Sequence, residues 1–79
     1  MYYLYIIKSI RADWFYVGST GNLGKRLLLH NAGTVRSTKF RAPYILVYTE
    51  TYPTAALARA REKEVKRSRS KKEDILRDL

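Results

Sequence analysis

The order of elements along this chain predicts an α+β fold, with two strands followed by a helix, a third strand and two further helices. Aromatic and β-branched residues dominate two short runs near the start of the chain. Apolar residues recur at helical spacing in later segments, and turn residues separate the elements. A length of 79 residues suits one domain, so residues 1–79 are assigned to a single domain.

The first two predicted strands form a hairpin. They cover residues 2–7 and 14–17, and the polar segment 11–13 interrupts them. A turn centred between residues 10 and 11 would place Tyr5 opposite Tyr16. Directly opposed residues share one face of a sheet, so we expect the two phenols to lie on the same side.

The first helix is predicted over residues 23–31. Residues 18–22 form the turn that precedes it, and Asn22 or Thr20 is the candidate N-cap. At 100° per residue, Arg26 and His30 fall in the same narrow arc as two leucines of this helix. Both side chains are therefore expected on the packed side of the helix, at its edge.

The second half of the chain begins with a polar, basic loop over residues 34–41. A continuous apolar run predicts a third strand over residues 44–48, buried on both faces. A long helix then begins after Thr54, which is a candidate cap. Ser70 and Glu73 have the spacing of a capping box for a final helix that runs to Leu79.

Glu62 interrupts the apolar stripe of the long helix. Ala55, Ala58 and Val65 share its face at spacings of three and four residues. A carboxylate on a buried face is costly unless it is paired or binds a metal. The alternative to a metal is an ion pair with one of the neighbouring cations, which are Arg59, Lys63 and Lys66.

The composition favours a nucleic-acid partner. Sixteen Lys and Arg against seven Asp and Glu give a net charge of +9. Nucleic acid is the first polyanion to consider and an anionic membrane surface the second. Candidate phosphate contacts close to the proposed site are Lys25, Lys39, Arg41 and Lys66.

The composition also excludes several classes. The chain has no cysteine, so disulfides and thiolate metal sites are ruled out. No apolar run approaches the ~20 residues that a membrane span needs. The first residues lack the basic and small-residue features of a signal peptide, and a cytoplasmic location is expected.

Phenol, guanidinium, imidazole and carboxylate groups together suit phosphodiester hydrolysis. A tyrosine beside cations can take a proton from water, and Arg26 can offer a fork of donors to a phosphate. A Mg²⁺ ion on Glu62 would act as the Lewis acid, and one carboxylate is enough for a one-metal site. Taken singly, the tyrosines also suit a core, His30 a satisfied helix position and Arg26 the surface.

Five fragments follow one another in a defined order. They are Tyr3-Leu4-Tyr5-Ile6-Ile7, Tyr16-Val17-Gly18-Ser19-Thr20, Arg26-Leu27, His30-Asn31 and Arg61-Glu62. In this order they resemble the GIY-YIG endonuclease superfamily. A second group of residues resembles the small stand-alone bacterial branch. It consists of Thr38-Lys39, Arg41, Pro43, Leu46-Val47-Tyr48 and Glu50. The resemblance covers nearly the whole chain.

The resemblance implies a three-stranded antiparallel sheet flanked by helices. It also implies that Tyr5 and Tyr16 are the two motif tyrosines, one or both of which help to activate water. Gly18 takes the place of the motif glycine, where the backbone turns close to the site. The glycine of the first motif is replaced here by Tyr3, a departure from the family pattern.

The remaining members of the set carry over in the same way. The resemblance implies that Arg26 contacts the scissile phosphate, that His30 hydrogen-bonds into the tyrosine pair, and that Glu62 binds Mg²⁺, for which Mn²⁺ may substitute. Asp74 stands near the place of an asparagine found in some members. Most characterised members have a separate DNA-recognition domain, so sequence-specific cutting is not expected of this chain.

Three hypotheses follow from the sequence. The first is a Mg²⁺-dependent endonuclease that nicks DNA or cuts branched or single-stranded structures. The second is a module on the same scaffold that binds DNA or RNA without turnover. The third is a structural or interaction protein whose tyrosines form the core. DNA is favoured over RNA as the partner, no membrane partner is expected, and the oligomeric state stays open.

Overall fold

The computed structural model describes residues 1–79 and has the predicted α+β fold and the element order ββαβαα. The strands are β1 (Tyr2–Ser9), β2 (Phe15–Thr20) and β3 (Tyr44–Tyr52). The helices are α1 (Leu23–Asn31), α2 (Ala55–Arg67) and α3 (Arg69–Arg77). A short 3₁₀ turn, Lys39–Arg41, lies in the loop between α1 and β3.

The sheet is antiparallel and has the order β2-β1-β3, so β1 is the central strand. Its four residues from Leu4 to Ile7 are all buried, because helices cover both faces of the sheet. The prediction that β3 is buried on both faces was wrong. Ile45 and Leu46 are 48% and 41% exposed, since β3 lies at an edge of the sheet.

The alternation of side chains along β1 separates two apolar clusters. Tyr5 and Ile7 point to the face that packs against α1. Leu4 and Ile6 point to the opposite face, where Val65 of α2 is fully buried. The two faces therefore carry different helices, and residues from both helices can meet only around an edge of the sheet.

The strand β2 is longer than predicted. Residues 18–20 were expected to form a turn, but Gly18, Ser19 and Thr20 pair with Tyr5, Leu4 and Tyr3 of β1. The turn before α1 is consequently confined to the two residues after the strand. This extension carries the backbone of β2 past the Tyr5 ring.

Side-chain caps fix the starts of the helices. Asn22 accepts a hydrogen bond from the Lys25 amide at 3.0 Å, and Thr54 accepts one from the Leu57 amide at 3.2 Å. The predicted capping box at Ser70 was wrong. Ser68 is the cap of α3 instead, because its extended backbone ends α2 and its hydroxyl already accepts the Lys71 amide.

The predicted apolar stripe of α2 is present. Ala58 and Val65 are buried, while Glu62 between them is half-buried. None of the three helices is long and apolar enough to cross a bilayer.

Candidate active site

The two motif tyrosines lie on the same face of the sheet, as predicted, but their register was predicted wrongly. Tyr5 stands opposite Gly18, and Tyr16 stands opposite Ile7. The loop between the strands is wider than expected, because the Ser9 hydroxyl accepts the amides of the first two residues after Ile10, both at 3.1 Å. The shift is two residues, so the faces are unchanged.

Gly18 is required by the Tyr5 ring. A Cβ built on Gly18 would lie 2.9 Å from Tyr5 Cε2 and closer still to the phenol oxygen. The ring thus crosses directly over the β2 backbone, where only a hydrogen atom fits. The structure explains this glycine by close approach rather than by the predicted turn, since Gly18 is a strand residue without a positive φ.

A chain of hydrogen bonds begins at the Tyr5 hydroxyl. Tyr5 Oη lies 2.8 Å from His30 Nε2, and His30 Nδ1 lies 2.7 Å from the Thr38 hydroxyl. Arg26 Nε donates to Tyr5 Oη at 3.4 Å, and the Thr38 hydroxyl donates to the Val35 carbonyl, also at 3.4 Å. One assignment satisfies all four contacts, with Tyr5 donating to Nε2 and Nδ1–H donating to Thr38.

The protonation of this chain follows from its burial. His30 is fully buried, and burial together with the nearby Arg26 charge lowers its pKa to about 4. It is therefore neutral at physiological pH, and its unprotonated nitrogen accepts the hydrogen bond from the Tyr5 hydroxyl. Burial likewise raises the pKa of Tyr5, although the hydrogen bond from Arg26 works in the opposite direction.

Tyr16 lies beside this chain without joining it. Its ring is 5.2 Å from the His30 ring and 6.2 Å from the Trp14 ring, measured between centroids. The Tyr16 hydroxyl makes no hydrogen bond to any other residue of the protein, whereas the Tyr5 hydroxyl is bonded to His30 and Arg26. Tyr16 is half-buried, and its phenol oxygen, unlike that of Tyr5, has no hydrogen-bond partner within the protein.

Glu62 reaches the same edge from the other face of the sheet. Its Oε1 accepts from the Ser19 hydroxyl at 2.6 Å, and its Oε2 accepts from Lys66 Nζ at 2.7 Å. Lys66 Nζ also stands 5.1 Å from the centroid of the Tyr16 ring. Ser19 and Lys66 thereby tie α2 to β2, and the Lys66 ammonium contacts both the Glu62 carboxylate and the Tyr16 ring.

The donors at Glu62 suit a hard cation only in part. No group of three or more His, Asp or Glu residues could hold a metal ion. Mg²⁺ nevertheless often takes only one or two carboxylates and keeps several waters. Glu62 supplies such a carboxylate, with the Ser19 hydroxyl beside it, and so fits a one-carboxylate site. The Lys66 ammonium holds one of its two oxygens, so a divalent ion must compete with that ammonium.

The candidate phosphate contacts divide into two groups. Lys25, Lys39 and Arg41 are exposed, and no carboxylate lies within ion-pair distance of them. Lys66 is paired with Glu62 and belongs to the site itself. Asp74 is exposed and pairs with Arg77 at 3.3 Å, so nothing ties it to the tyrosines.

Two contributing residues were missed by the sequence reading. Thr38 is buried and positions both His30 and the Tyr44 hydroxyl, which donates to the Thr38 carbonyl at 2.6 Å. Ser19 fixes one oxygen of Glu62. Both residues lie inside the fragments that carried the family resemblance, but the short-range pattern gives neither of them a role, because their partners are 8 and 43 residues away.

Comparison with known proteins identifies the class to which this fold and site belong. Residues 1–74 match the family described as the GIY-YIG catalytic domain. The chain therefore belongs to the GIY-YIG family. Proteins of this family act on nucleic acid, and its nucleases generally use a divalent metal ion.

Several similar proteins share one name within that family. A UPF0213 protein of Staphylococcus haemolyticus is 39% identical over 66 residues, which cover 82% of this chain and 79% of the relative. A UPF0213 protein of Natronomonas pharaonis is 37% identical over 79 residues, which cover 98% and 92%. The solution NMR structure of a UPF0213 protein from Bacillus halodurans superposes with a TM-score of 0.58 at 34% identity, covering 95% of this chain and 81% of that one.

Proposed function

We propose that this protein is a Mg²⁺-dependent endonuclease that hydrolyses phosphodiester bonds in DNA. We expect it to act in the cytoplasm, to nick with little sequence specificity or to select DNA by structure, and to consist of one nuclease domain over residues 1–79. The proposal is supported by two groups of side chains that lie next to Tyr16. Arg26, Tyr5 and His30 are joined by hydrogen bonds with the His30 ring beside Tyr16, and Lys66, which is bonded to Glu62, stands over the Tyr16 ring.

Tyr16 is the phenol that we assign to the attacking water. Its hydroxyl makes no hydrogen bond, and its ring lies close to both His30 and Lys66. The Tyr5 hydroxyl is a poorer candidate, because it is already bonded to His30 and because burial raises its pKa. Tyr5 instead orients Arg26, and His30 holds the Tyr5 hydroxyl in place.

Arg26 is the residue that we assign to the scissile phosphate. Only its Nε forms a hydrogen bond within the protein, so the N–H groups of both terminal nitrogens remain available to a ligand. A planar fork of N–H groups matches two phosphate oxygens and stabilises the charge that spreads over them in the transition state. The hydrogen bond to Tyr5 is the first cause of a raised Arg26 pKa, so the guanidinium stays charged.

Glu62 is the residue that would hold the metal ion. When bound, Mg²⁺ supplies a Lewis acid for the leaving 3′ oxygen, and Mn²⁺ can replace it. Ser19 fixes the orientation of the carboxylate through one oxygen. The exposed Lys25, Lys39 and Arg41 would bind the phosphates on either side of the cut, through contacts that are independent of sequence and weaken with salt.

The test is cleavage of supercoiled plasmid by purified protein in Mg²⁺, with Glu62→Gln as the inactive variant. Glu73→Gln is the matched control, because Glu73 is an exposed acid of α3 that pairs only loosely with Arg69 at 3.8 Å. We expect nicking by the wild type and by Glu73→Gln, and none by Glu62→Gln. Equal, metal-independent nicking by all three proteins would point to a contaminant and overturn the proposal.

One observation favours the second candidate, a nucleic-acid-binding module without turnover. Both oxygens of Glu62 already have partners within the chain, and one partner is a cation. If this ion pair is permanent, the scaffold retains basic contacts but no metal. That candidate predicts salt-sensitive DNA binding that is the same for wild type and Glu62→Gln, with no cleavage of any substrate.

A further inference from the structure

A strip of aromatic and basic side chains leads away from the candidate active site. We define it as the aromatic–basic strip, which consists of Trp14, Lys39, Phe40 and Arg41. The Arg41 guanidinium stacks 4.6 Å from the centroid of the Trp14 ring, and Lys39 Nζ lies 5.0 Å from that of the Phe40 ring. Trp14 is in turn 6.2 Å from Tyr16, so the strip joins the site without a gap.

The Phe40 ring is 77% exposed, the largest exposure among the large apolar residues of the chain. A single exposed apolar side chain would be unremarkable on a flexible loop. The turn that carries Phe40, however, is anchored at both ends. The Ser9 hydroxyl donates to the Arg41 carbonyl at 2.6 Å, and the Thr38 hydroxyl is bonded to His30. The backbone that carries the exposed ring is therefore anchored, at one end to His30 of the candidate active site.

The loop that carries Lys39, Phe40 and Arg41 contains no acid, although the exposed Asp13 precedes Trp14. No Asp or Glu occurs between residues 14 and 49, a stretch that contains five Lys and Arg. The cations of the C-terminal helices differ, because several of them pair with Glu50, Glu62 or Glu64. A strip whose cations form no ion pair, and whose Phe40 ring is largely exposed, matches a ligand that has both phosphates and flat, unpaired rings.

We propose that the aromatic–basic strip binds unpaired nucleotides, with a base stacked on Phe40 and the neighbouring phosphates on Lys39 and Arg41. In a duplex the faces of the bases are covered by their neighbours, so an aromatic ring on a rigid turn favours single-stranded segments. The strip rests on the proposed function and deepens it. It directs the nuclease to single strands or to the unpaired junctions of branched DNA, with the cut next to the strip.

The experiment measures binding separately from cleavage. The Glu62→Gln protein binds a fluorescein-labelled single strand or a blunt duplex of the same sequence, and anisotropy gives both dissociation constants. Trp14 is the only tryptophan, so quenching of its fluorescence reports whether the ligand reaches the strip. Phe40→Ala is the test, Phe40→Leu removes only the aromatic character, and Leu28→Ala is the control at another apolar residue that is 71% exposed.

We expect Phe40→Ala and Phe40→Leu to weaken single-strand binding by about tenfold and duplex binding by less than about twofold. Leu28→Ala should change neither, and only the single strand should quench Trp14 strongly. Equal losses for single strand and duplex, or the same loss in Leu28→Ala, would overturn the proposal. A change in the sedimentation of Phe40→Ala in the absence of DNA would also do so, by assigning the ring to a contact between copies of the chain. These results do not depend on catalysis, so they can fail while the plasmid test succeeds, and the reverse.

Discussion

Two clusters in this molecule use the same residue types for different ends. Each joins an arginine to buried or half-buried tyrosine hydroxyls. In the first, Arg26 and Tyr5 meet the neutral imidazole of His30. In the second, Glu50 accepts from Tyr48, Tyr52 and Arg61, and Arg61 also pairs with Glu64.

The two clusters differ in what they leave unsatisfied. Around Glu50 both carboxylate oxygens have two partners each, and Arg61 uses three nitrogens. Around His30 the arginine uses one nitrogen and keeps two for another ligand. A cluster with every group paired stabilises the fold, whereas one that holds a cation with free donors at an edge can bind an anion.

The largest expected effect comes from replacing each of the two arginines separately with glutamine. Arg26→Gln should lower plasmid cleavage by about 100- to 1,000-fold, because it removes donors to the phosphate. It should change the free energy of unfolding by less than about 1 kcal/mol, since it removes one long hydrogen bond. Urea denaturation and initial cleavage rates measure both quantities.

Arg61→Gln should give the opposite pattern. It leaves Glu50 without its cation and should destabilise the fold by about 3 kcal/mol. Cleavage by the folded fraction should stay within about threefold of wild type, because Arg61 lies on the other side of the central strand from Tyr5. If both variants lose activity and stability together, the separation of the two clusters does not hold.

Next in size is a pair of glycine substitutions. Gly18→Ala places a methyl group against the buried Tyr5 ring, which must shift, so we expect a loss of about 2 kcal/mol together with most of the cleavage activity. Gly24→Ala is the matched control. Its nearest atom would be 3.8 Å away on an exposed helix position, so stability should rise by about 0.5–1 kcal/mol with activity unchanged. Thermal unfolding should show a lower midpoint temperature for Gly18→Ala and a higher one for Gly24→Ala than for the wild type.

A smaller effect is expected from the cation on Glu62. Lys66→Met removes the ammonium that competes with a divalent ion, so Mn²⁺ should bind about tenfold more tightly. Lys63→Met is the control on the same helix, because Lys63 forms no ion pair. Electron paramagnetic resonance titration of Mn²⁺ gives both constants. Unchanged or weaker Mn²⁺ affinity in Lys66→Met would show that the lysine does not compete with the metal ion for the carboxylate.

The two clusters should also be separable by pH. The pKa of His30 is lowered from 6.5 to about 4, so the unfolded state takes up its proton first as pH falls. The His30 contribution to stability is therefore complete above about pH 6.5 and is lost toward pH 4. His30→Gln should flatten the pH dependence of the unfolding free energy between about pH 6.5 and pH 4. Below that window the pH dependence should be the same as in the wild type.

The Glu50 cluster loses its contribution at lower pH. Burial alone would raise the Glu50 pKa, but the hydrogen bonds from Arg61, Tyr48 and Tyr52 lower it from 4.5 to about 2. Its contribution is present above about pH 4.5 and is lost toward pH 2. Urea denaturation of Glu50→Gln across this range should show a flat segment there. A single window shared by both variants would mean that the clusters unfold as one.

Much of the site could be predicted because it depends on which face of a strand or helix each residue occupies, and that face follows from the spacing of residues in the sequence. The face shared by Tyr5 and Tyr16 survives any even shift of register, and the face of Glu62 follows from helical spacing. The register itself could not be predicted. The width of the first loop depends on the Ser9 hydroxyl, which bonds to amides of its own loop and to the Arg41 carbonyl 32 residues away.

The Glu50 cluster shows what the pattern contained but the prediction did not use. Tyr48, Glu50 and Tyr52 alternate at the strand period, yet the predicted strand ended at Tyr48. Thr38 is different, because no local pattern distinguishes a buried threonine in a basic loop. Only the fold brings it to His30.

The most direct test of the account is the position of Mn²⁺ in crystals of this protein, located by anomalous scattering. Glu50 and Glu62 are comparably shielded acids, with side chains 18% and 20% exposed, and they face different partners. We expect an anomalous peak at the Glu62 carboxylate, on the side of Tyr5 and Tyr16, with Lys66 displaced and no peak at Glu50. A peak at Glu50, or none near Glu62 at saturating Mn²⁺, would contradict a metal site at Glu62.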